Sequence, residues 1–171
     1  PYASSYIPTS GGTSTRLGET VSGAGNASTF NDSEGVLFAE IGALDDDGTF
    51  RLITLSDGTT SDRISFGYSS TSNGIYCEVR KLNVPQAFLG GTVLDIKNLS
   101  KVAIKYKEND FALWVNGIEV STDISGLVPI GLNQLTFDGG AGTLPFYGKA
   151  SQVQVFNTAL TDAELQILTT I

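Results

Sequence analysis

The stretch Lys101-Val102-Ala103-Ile104-Lys105-Tyr106-Lys107, followed by Phe111-Ala112-Leu113-Trp114-Val115-Asn116-Gly117, decides the fold of this chain. Val102, Ile104 and Tyr106 alternate with Ala103, Lys105 and Lys107. Phe111, Leu113 and Val115 alternate with Ala112, Trp114 and Asn116. A period of two puts one set on a core and the other outside, which is the pattern of a half-buried strand. Glu108-Asn109-Asp110 makes the turn between the two runs. Asn116-Gly117 suits the left-handed backbone of a tight hairpin, and residues 118–120 return from it.

The same rhythm extends in both directions. Residues 36–41 form an apolar run ended by Gly42, and Asp45-Asp46-Asp47-Gly48 is the turn that follows. Residues 50–55 make the next strand, closed by Ser56-Asp57-Gly58. In residues 63–68, Ile64, Phe66 and Tyr68 share one face. Asn73-Gly74 is a second hairpin signal. In residues 75–81, Ile75, Cys77 and Val79 face one way, and Tyr76, Glu78 and Arg80 the other. Residues 133–137 form a short strand ended by Asp138-Gly139-Gly140. Residues 149–156 alternate again, with Val153 and Val155 opposite Gln152 and Gln154. Residues 1–35 are rich in Ser, Thr, Gly and Asn and read as loops, with one edge strand around Tyr6-Ile7 before Pro8. Many short strands between Gly and Asp turns predict an all-β fold, a two-sheet antiparallel β-sandwich.

One short C-terminal helix is signalled. Thr161 is its N-cap and Glu164 its third residue, a capping box, with Leu160 and Leu165 as the staple. Leu165 and Leu168 continue the apolar stripe, and the helix is predicted to lid one end of the sandwich.

Composition narrows the chemistry. The 171 residues fit a single domain, 1–171, with a sizeable core. No apolar run reaches the length of a membrane span, so no membrane insertion is expected. No signal peptide or lipidation motif is present, and Met is absent, so the chain is expected to be a fragment of a longer protein. The net charge of -8 serves solubility and argues against nucleic acid as a partner. Cys77 stands alone in an apolar alternation and reads as a small core residue. There is no histidine, which excludes Ser-His, Cys-His and His-metal sites. Gly11-Gly12 and Gly139-Gly140 lack the strand-to-helix setting of a phosphate loop. Three Asn-x-Ser sequons, at Asn26, Asn31 and Asn98, matter only on a eukaryotic secretory route.

Residues 101–117 resemble the paired central strands of laminin-G-like domains. The tail, residues 148–156 followed by Asn157-Thr158-Ala159-Leu160-Thr161-Asp162-Ala163-Glu164-Leu165, is similar to that family's closing strand and helix. Ser4-Ser5-Tyr6-Ile7-Pro8-Thr9, with Thr15-Arg16, resembles the opening of such domains in bacteriophage tail and structural proteins. The resemblance implies a concanavalin A-like jelly roll with one concave sheet. It also implies a non-catalytic glycan-binding or adhesive role, in a virion or at an extracellular or cell surface. The fold itself also hosts lectins, glycosidases, lyases and interaction modules.

The residues then weigh the roles. Jelly-roll glycosidases resembling laminarinases need carboxylates at strand spacing, Glu-x-Asp-x-x-Glu, so that acid and nucleophile flank the bond. Here Glu40 is followed by Ile41-Gly42-Ala43-Leu44. The related alginate lyases use a histidine strand that this chain cannot make. Binding fares better, since sugars stack on aromatic rings and hydrogen-bond to planar polar groups. Trp114 and Lys105 share an outward face, as do Tyr76 and Arg80 on another strand and Gln152 and Gln154 on the closing one. These six are the candidate glycan platform, with Trp114→Ala expected to abolish binding. Lys105 and Arg80 would suit an acidic polysaccharide. No cofactor is required. Asp45, Asp46 and Asp47 are a candidate structural calcium turn, though their spacing is not that of an EF-hand. The expected function is a carbohydrate-binding module of a phage or microbial surface protein that recognises a polysaccharide or cell-surface glycan. The alternatives are a structural or interaction domain, oligomeric in a parent fibre or adhesin, and more remotely a lyase or glycosidase.

Overall fold

A computed structural model describes residues 25–171. It contains ten strands: β1 (Glu34–Ala43), β2 (Arg51–Ser56), β3 (Arg63–Tyr68), β4 (Gly74–Lys81), β5 (Val84–Thr92), β6 (Ser100–Lys107), β7 (Phe111–Val115), β8 (Ile118–Asp123), β9 (Gln134–Thr136) and β10 (Gly148–Phe156). One helix, α1 (Asp162–Thr169), follows them. The first sheet has the order β10-β1-β6-β7-β8 and the second β5-β4-β3-β2-β9. Every neighbouring pair is antiparallel. The expected all-β sandwich is therefore the fold. The edge strand expected at Tyr6-Ile7 and the resemblance at residues 4–9 and 15–16 lie outside the described residues.

The alternation builds the core as the sequence predicts. Leu37, Ile104 and Leu113 of the first sheet meet Ile53, Phe66 and Cys77 of the second, all fully buried. Cys77 is a core residue, and burial pushes its thiol well above the ordinary value. The hairpin at Asn116-Gly117 has both residues in the left-handed region, φ 50° and 82°, as its dipeptide predicts.

Strand β5 is absent from the sequence reading. It enters through a turn in which Leu82 and Asn83 both have positive φ, 48° and 64°. The usual marker of such a turn is Asn-Gly, and a leucine there carries no signal. Pro85, Gly90 and Gly91 then dilute the strand's pattern. Pro85 is tolerated because β5 is an edge strand.

Helix α1 begins with both bonds of the capping box. The Thr161 Oγ1 accepts from the Glu164 backbone N–H at 3.4 Å, and the Thr161 N–H donates to Glu164 Oε2 at 2.8 Å. Its place differs from the predicted end lid. The helix lies across the outer face of the first sheet, with Leu165 buried against Val36, Phe38, Ala103, Ala112 and Trp114. The small Ala103 and Ala112 make the seat, so the part of this sheet under the helix is apolar on both faces. Thr161→Ala is expected to lower stability by about 1 kcal/mol in urea unfolding.

Candidate functional site

The outer face of the second sheet gathers charge and aromatic surface in one place. Because Ile75, Cys77 and Val79 turn into the core, Tyr76, Glu78 and Arg80 of β4 turn out. The β3 register sets Arg63 beside Arg80 and Ser65 beside Glu78. The β5 register sets Phe88 beside Glu78, Pro85 beside Arg80 and Gly90 beside Tyr76.

Glu78 is the hub. Arg63 Nη2 donates to its Oε2 at 2.8 Å, and Arg80 Nε donates to its Oε1 at 2.7 Å. Burial works to raise the carboxyl's pKa, but the two guanidinium groups outweigh it and hold the group below the usual range. Arg63 is buried and also donates from Nη1 to the Gly139 carbonyl at 2.5 Å, while its Nε has no partner among the described residues. Arg80 is more open. Its Nη1 donates to Asn83 Oδ1 at 3.2 Å.

Beside this network stand three rings. Tyr76 meets Phe88 edge-on at 4.9 Å between centroids and Phe50 edge-on at 5.2 Å. Phe88 is 66% exposed. Gly90, opposite Tyr76, adds no side chain. The Tyr76 phenol is held neutral, with its pKa raised by burial and then by the Glu78 charge.

The β2–β3–β9 half of this face is covered. Thr54 and Ser65 point outward yet are 0% exposed. Residues 138–140 cross this half: Thr54 Oγ1 donates to the Asp138 carbonyl at 2.5 Å, and Thr136 Oγ1 to Asp138 Oδ1 at 2.8 Å, while Ser65 Oγ turns to the Glu78 carbonyl at 3.5 Å. Gly140 has φ 89°, and a Cβ there would stand 2.9 Å from the Thr59 carbonyl oxygen, so the crossing needs glycine.

The six residues expected to form one platform divide between opposite sides of the molecule. Tyr76 and Arg80 lie on the second sheet. Trp114, Lys105, Gln152 and Gln154 lie on the outer face of the first, because the two sheets pack through their inner faces. Trp114 turns outward as predicted, but α1 covers it and leaves 6% exposed. It is a packing residue, with no ring face open to a sugar. Lys105 is 8% exposed, its Nζ 2.7 Å from Asp110 and 3.5 Å from Asp162 at the start of α1. Burial lowers its pKa, and the two carboxylates more than reverse that. It ties the helix down. Gln152 is exposed and Gln154 half-buried.

Phe88, Glu78 and Arg63 were not picked out from the sequence as site residues. Glu78 was legible, since it shares the outward set with Tyr76 and Arg80. Phe88 was hidden with β5.

The Asp45-Asp46-Asp47 carboxylates do not converge. Asp45 Oδ1 accepts from the Asp46 N–H, Asp46 Oδ2 from Ser72 Oγ at 2.5 Å, and Asp47 pairs with Arg51. Among the described residues no three His, Cys, Asp or Glu side chains group to hold a metal. A separate cavity of about 290 Å³ opens at the edge formed by β9 and β10; its lining includes Phe30, Phe137, Val153 and Gln154 and carries no charged group.

A family model described as the concanavalin A-like lectin/glucanases superfamily matches residues 39–166. No curated protein sequence matches. Among solved structures, the CBM40 of the Ruminococcus gnavus IT-sialidase, bound to α2,3-sialyllactose, superposes with a TM-score of 0.69 at 19% identity, over 91% of this chain and 97% of that one. The NanB sialidase of Streptococcus pneumoniae gives 0.68 at 16% identity, over 84% of this chain but 25% of its own. A heptameric SAP-like pentraxin from Limulus polyphemus gives 0.60 at 13% identity, over 78% and 68%. At these identities the likeness is one of fold.

Proposed function

Because this chain belongs to the concanavalin A-like lectin/glucanases superfamily, we propose that it is a non-catalytic carbohydrate-binding module whose ligand sits on the open half of the second sheet, between Phe88 and Arg80. The observation that carries this reading is the juxtaposition of an exposed ring, a neutral phenol and a guanidinium fixed by Glu78. A sugar's C–H face stacks on the ring of Phe88, and its hydroxyls meet polar groups already held in place. Arg80 spends Nε and Nη1 on Glu78 and Asn83, and Nη2 carries no bond to protein among the described residues. A planar guanidinium suits a carboxylate, so an acidic glycan fits best. The module bound to sialyllactose, a carboxylate-bearing glycan, supports that choice.

The same geometry supports a non-catalytic role. Glu78 is held ionised and is hydrogen-bonded through both oxygens, which makes it a poor proton donor for glycosidic cleavage.

The test is titration calorimetry with 3′-sialyllactose and an acidic glycan panel. Arg80→Ala is expected to weaken binding about ten- to a hundredfold, the worth of one charge-assisted hydrogen-bonding group. Phe88→Ala is expected to weaken it by about three- to tenfold through lost stacking. Phe88→Ala should melt as the wild type does; Arg80→Ala, which takes one of two cations from the buried Glu78 carboxylate, should melt lower, and its binding is read below its own transition. Wild-type affinity in folded Arg80→Ala would refute this site.

A further inference from the structure

We infer that Gly90 is a bare floor kept for a second, neutral sugar residue, so that the ligand of this face is at least a disaccharide of one acidic and one neutral unit. The inference rests on the binding face proposed above and extends it along β4 and β5 to Tyr76. A glycine inside a strand weakens it. Its usual reasons are a bulge, a bend, or the close approach of another backbone or of a ligand.

Two glycines close to Tyr76 have such a reason within the fold. Gly67 is its partner on β3, and a Cβ there would run into the Arg51 carbonyl. Gly91 faces inward beside Ile75, and a Cβ there would stand 2.8 Å from Val120 Cγ2 of β8. Gly90, the partner of Tyr76 on β5, has none of these. Its φ lies outside the left-handed region, and its register with β4 is unbroken. A Cβ there would find one neighbour within 4 Å, the Ile75 carbonyl oxygen at 3.6 Å, an ordinary contact. The position is exposed and points to the same side as Tyr76 and Phe88. The fold would accept a side chain at residue 90, and the reason that remains is the ligand.

The missing side chain leaves a notch beside Tyr76. Phe88 and Phe50 both meet the Tyr76 ring edge-on, which steadies it. No atom of Tyr76 or Phe88 comes within 4 Å of where a Cβ of residue 90 would stand, so the rings leave the notch unfilled. Tyr76 is four residues from Arg80 along β4, about 13 Å at the rise of a strand. That span is longer than one pyranose. A sugar stacked on Phe88 with its carboxylate at Arg80 leaves the Tyr76 end for the unit joined to it. The groups at that end are a neutral phenol, aromatic rings and bare backbone. They suit C–H faces and hydroxyls, not a second anion.

The test titrates wild type, Gly90→Ala and Gly90→Val with two pairs of ligands. One pair is N-acetylneuraminic acid, as its methyl glycoside, and 3′-sialyllactose. The other is methyl glucuronide and the hyaluronan disaccharide, in which glucuronic acid is joined to a neutral amino sugar. Wild type is expected to bind the longer member of the pair it recognises about tenfold more tightly, the worth of one further stacked sugar. Gly90→Val fills the notch and removes most of that advantage, while the acidic monosaccharide stays within about twofold of wild type. Gly90→Ala falls between. Both variants should melt at or above the wild type, since either residue suits a strand better than glycine. Gly90→Val that keeps the preference for the longer ligand, or weakens both members equally, overturns the neutral subsite and leaves the face at Arg80 standing. So does wild type that binds both members alike, or a lowered melting temperature in both variants, which would show that the fold needs the glycine. Silence of the wild type toward both pairs overturns the binding face and this inference together.

Discussion

Trp114→Ala is expected to destabilise the domain by about 3–5 kcal/mol while glycan affinity, measured below the melting transition, stays at the wild-type value. The ring lies between the first sheet and α1, against Ala103, Ala112 and Leu165. Removing it opens a void that two alanines and a backbone cannot collapse to fill. The capped helix then loses the largest side chain in the cluster that receives Leu165. Trp114→Phe should recover much of the loss, because the indole Nε1 makes no hydrogen bond among the described residues and its removal leaves none of them unpaired. Urea unfolding checks the first half and calorimetric titration the second. A folded Trp114→Ala with lost binding would return the ligand to the first sheet.

Glu78→Gln carries the second large effect, about 3–5 kcal/mol of lost stability. The carboxylate neutralises two guanidiniums, one of them buried beneath residues 138–140. An amide of the same size keeps the shape, loses the charge, and sets its own N–H groups against one of two donors. The pH dependence follows from the direction of the shift. The folded-state pKa of Glu78 lies below the ordinary value of 4.5, so the unfolded chain takes up the proton first. The stabilisation is complete above the ordinary value and is lost as pH falls through the folded one. Wild type should therefore lose melting temperature in that acid window, and Glu78→Gln should lose less there. Because the same carboxylate aims Arg80, the variant should also lose glycan binding at neutral pH, where both proteins remain folded.

The strands were legible because burial on one face writes a period of two into the sequence. Residues 63–68 and 111–115 are delimited to the residue by that alternation. The helix start was legible because a capping box is local chemistry, confined to Thr161 through Glu164. Its destination was not, since nothing near residue 165 says which of several apolar surfaces will receive Leu165. The clue lay far away, in the small and apolar outward positions Val36, Phe38, Ala103 and Ala112. The candidate site was half legible for a similar reason. Tyr76, Glu78 and Arg80 share one strand, so their common face follows from counting. That Arg63 and Phe88 join them depends on the registers of β3 and β5, which are tertiary facts. Trp114 misled because alternation tells which side a residue faces, and not what lies on top of it.

The sealing of the first sheet by α1 has a consequence for how strongly such a domain can hold a surface. With the middle of one outer face covered by a helix and half of the other by a crossing segment, the proposed reading leaves each copy one shallow glycan site. One site is one vote. On that reading, firm attachment to a glycan-coated surface would depend on how many copies were tethered together and how they were spaced. Tethering can multiply apparent affinity by about 10²–10⁴ without a new contact in any one site.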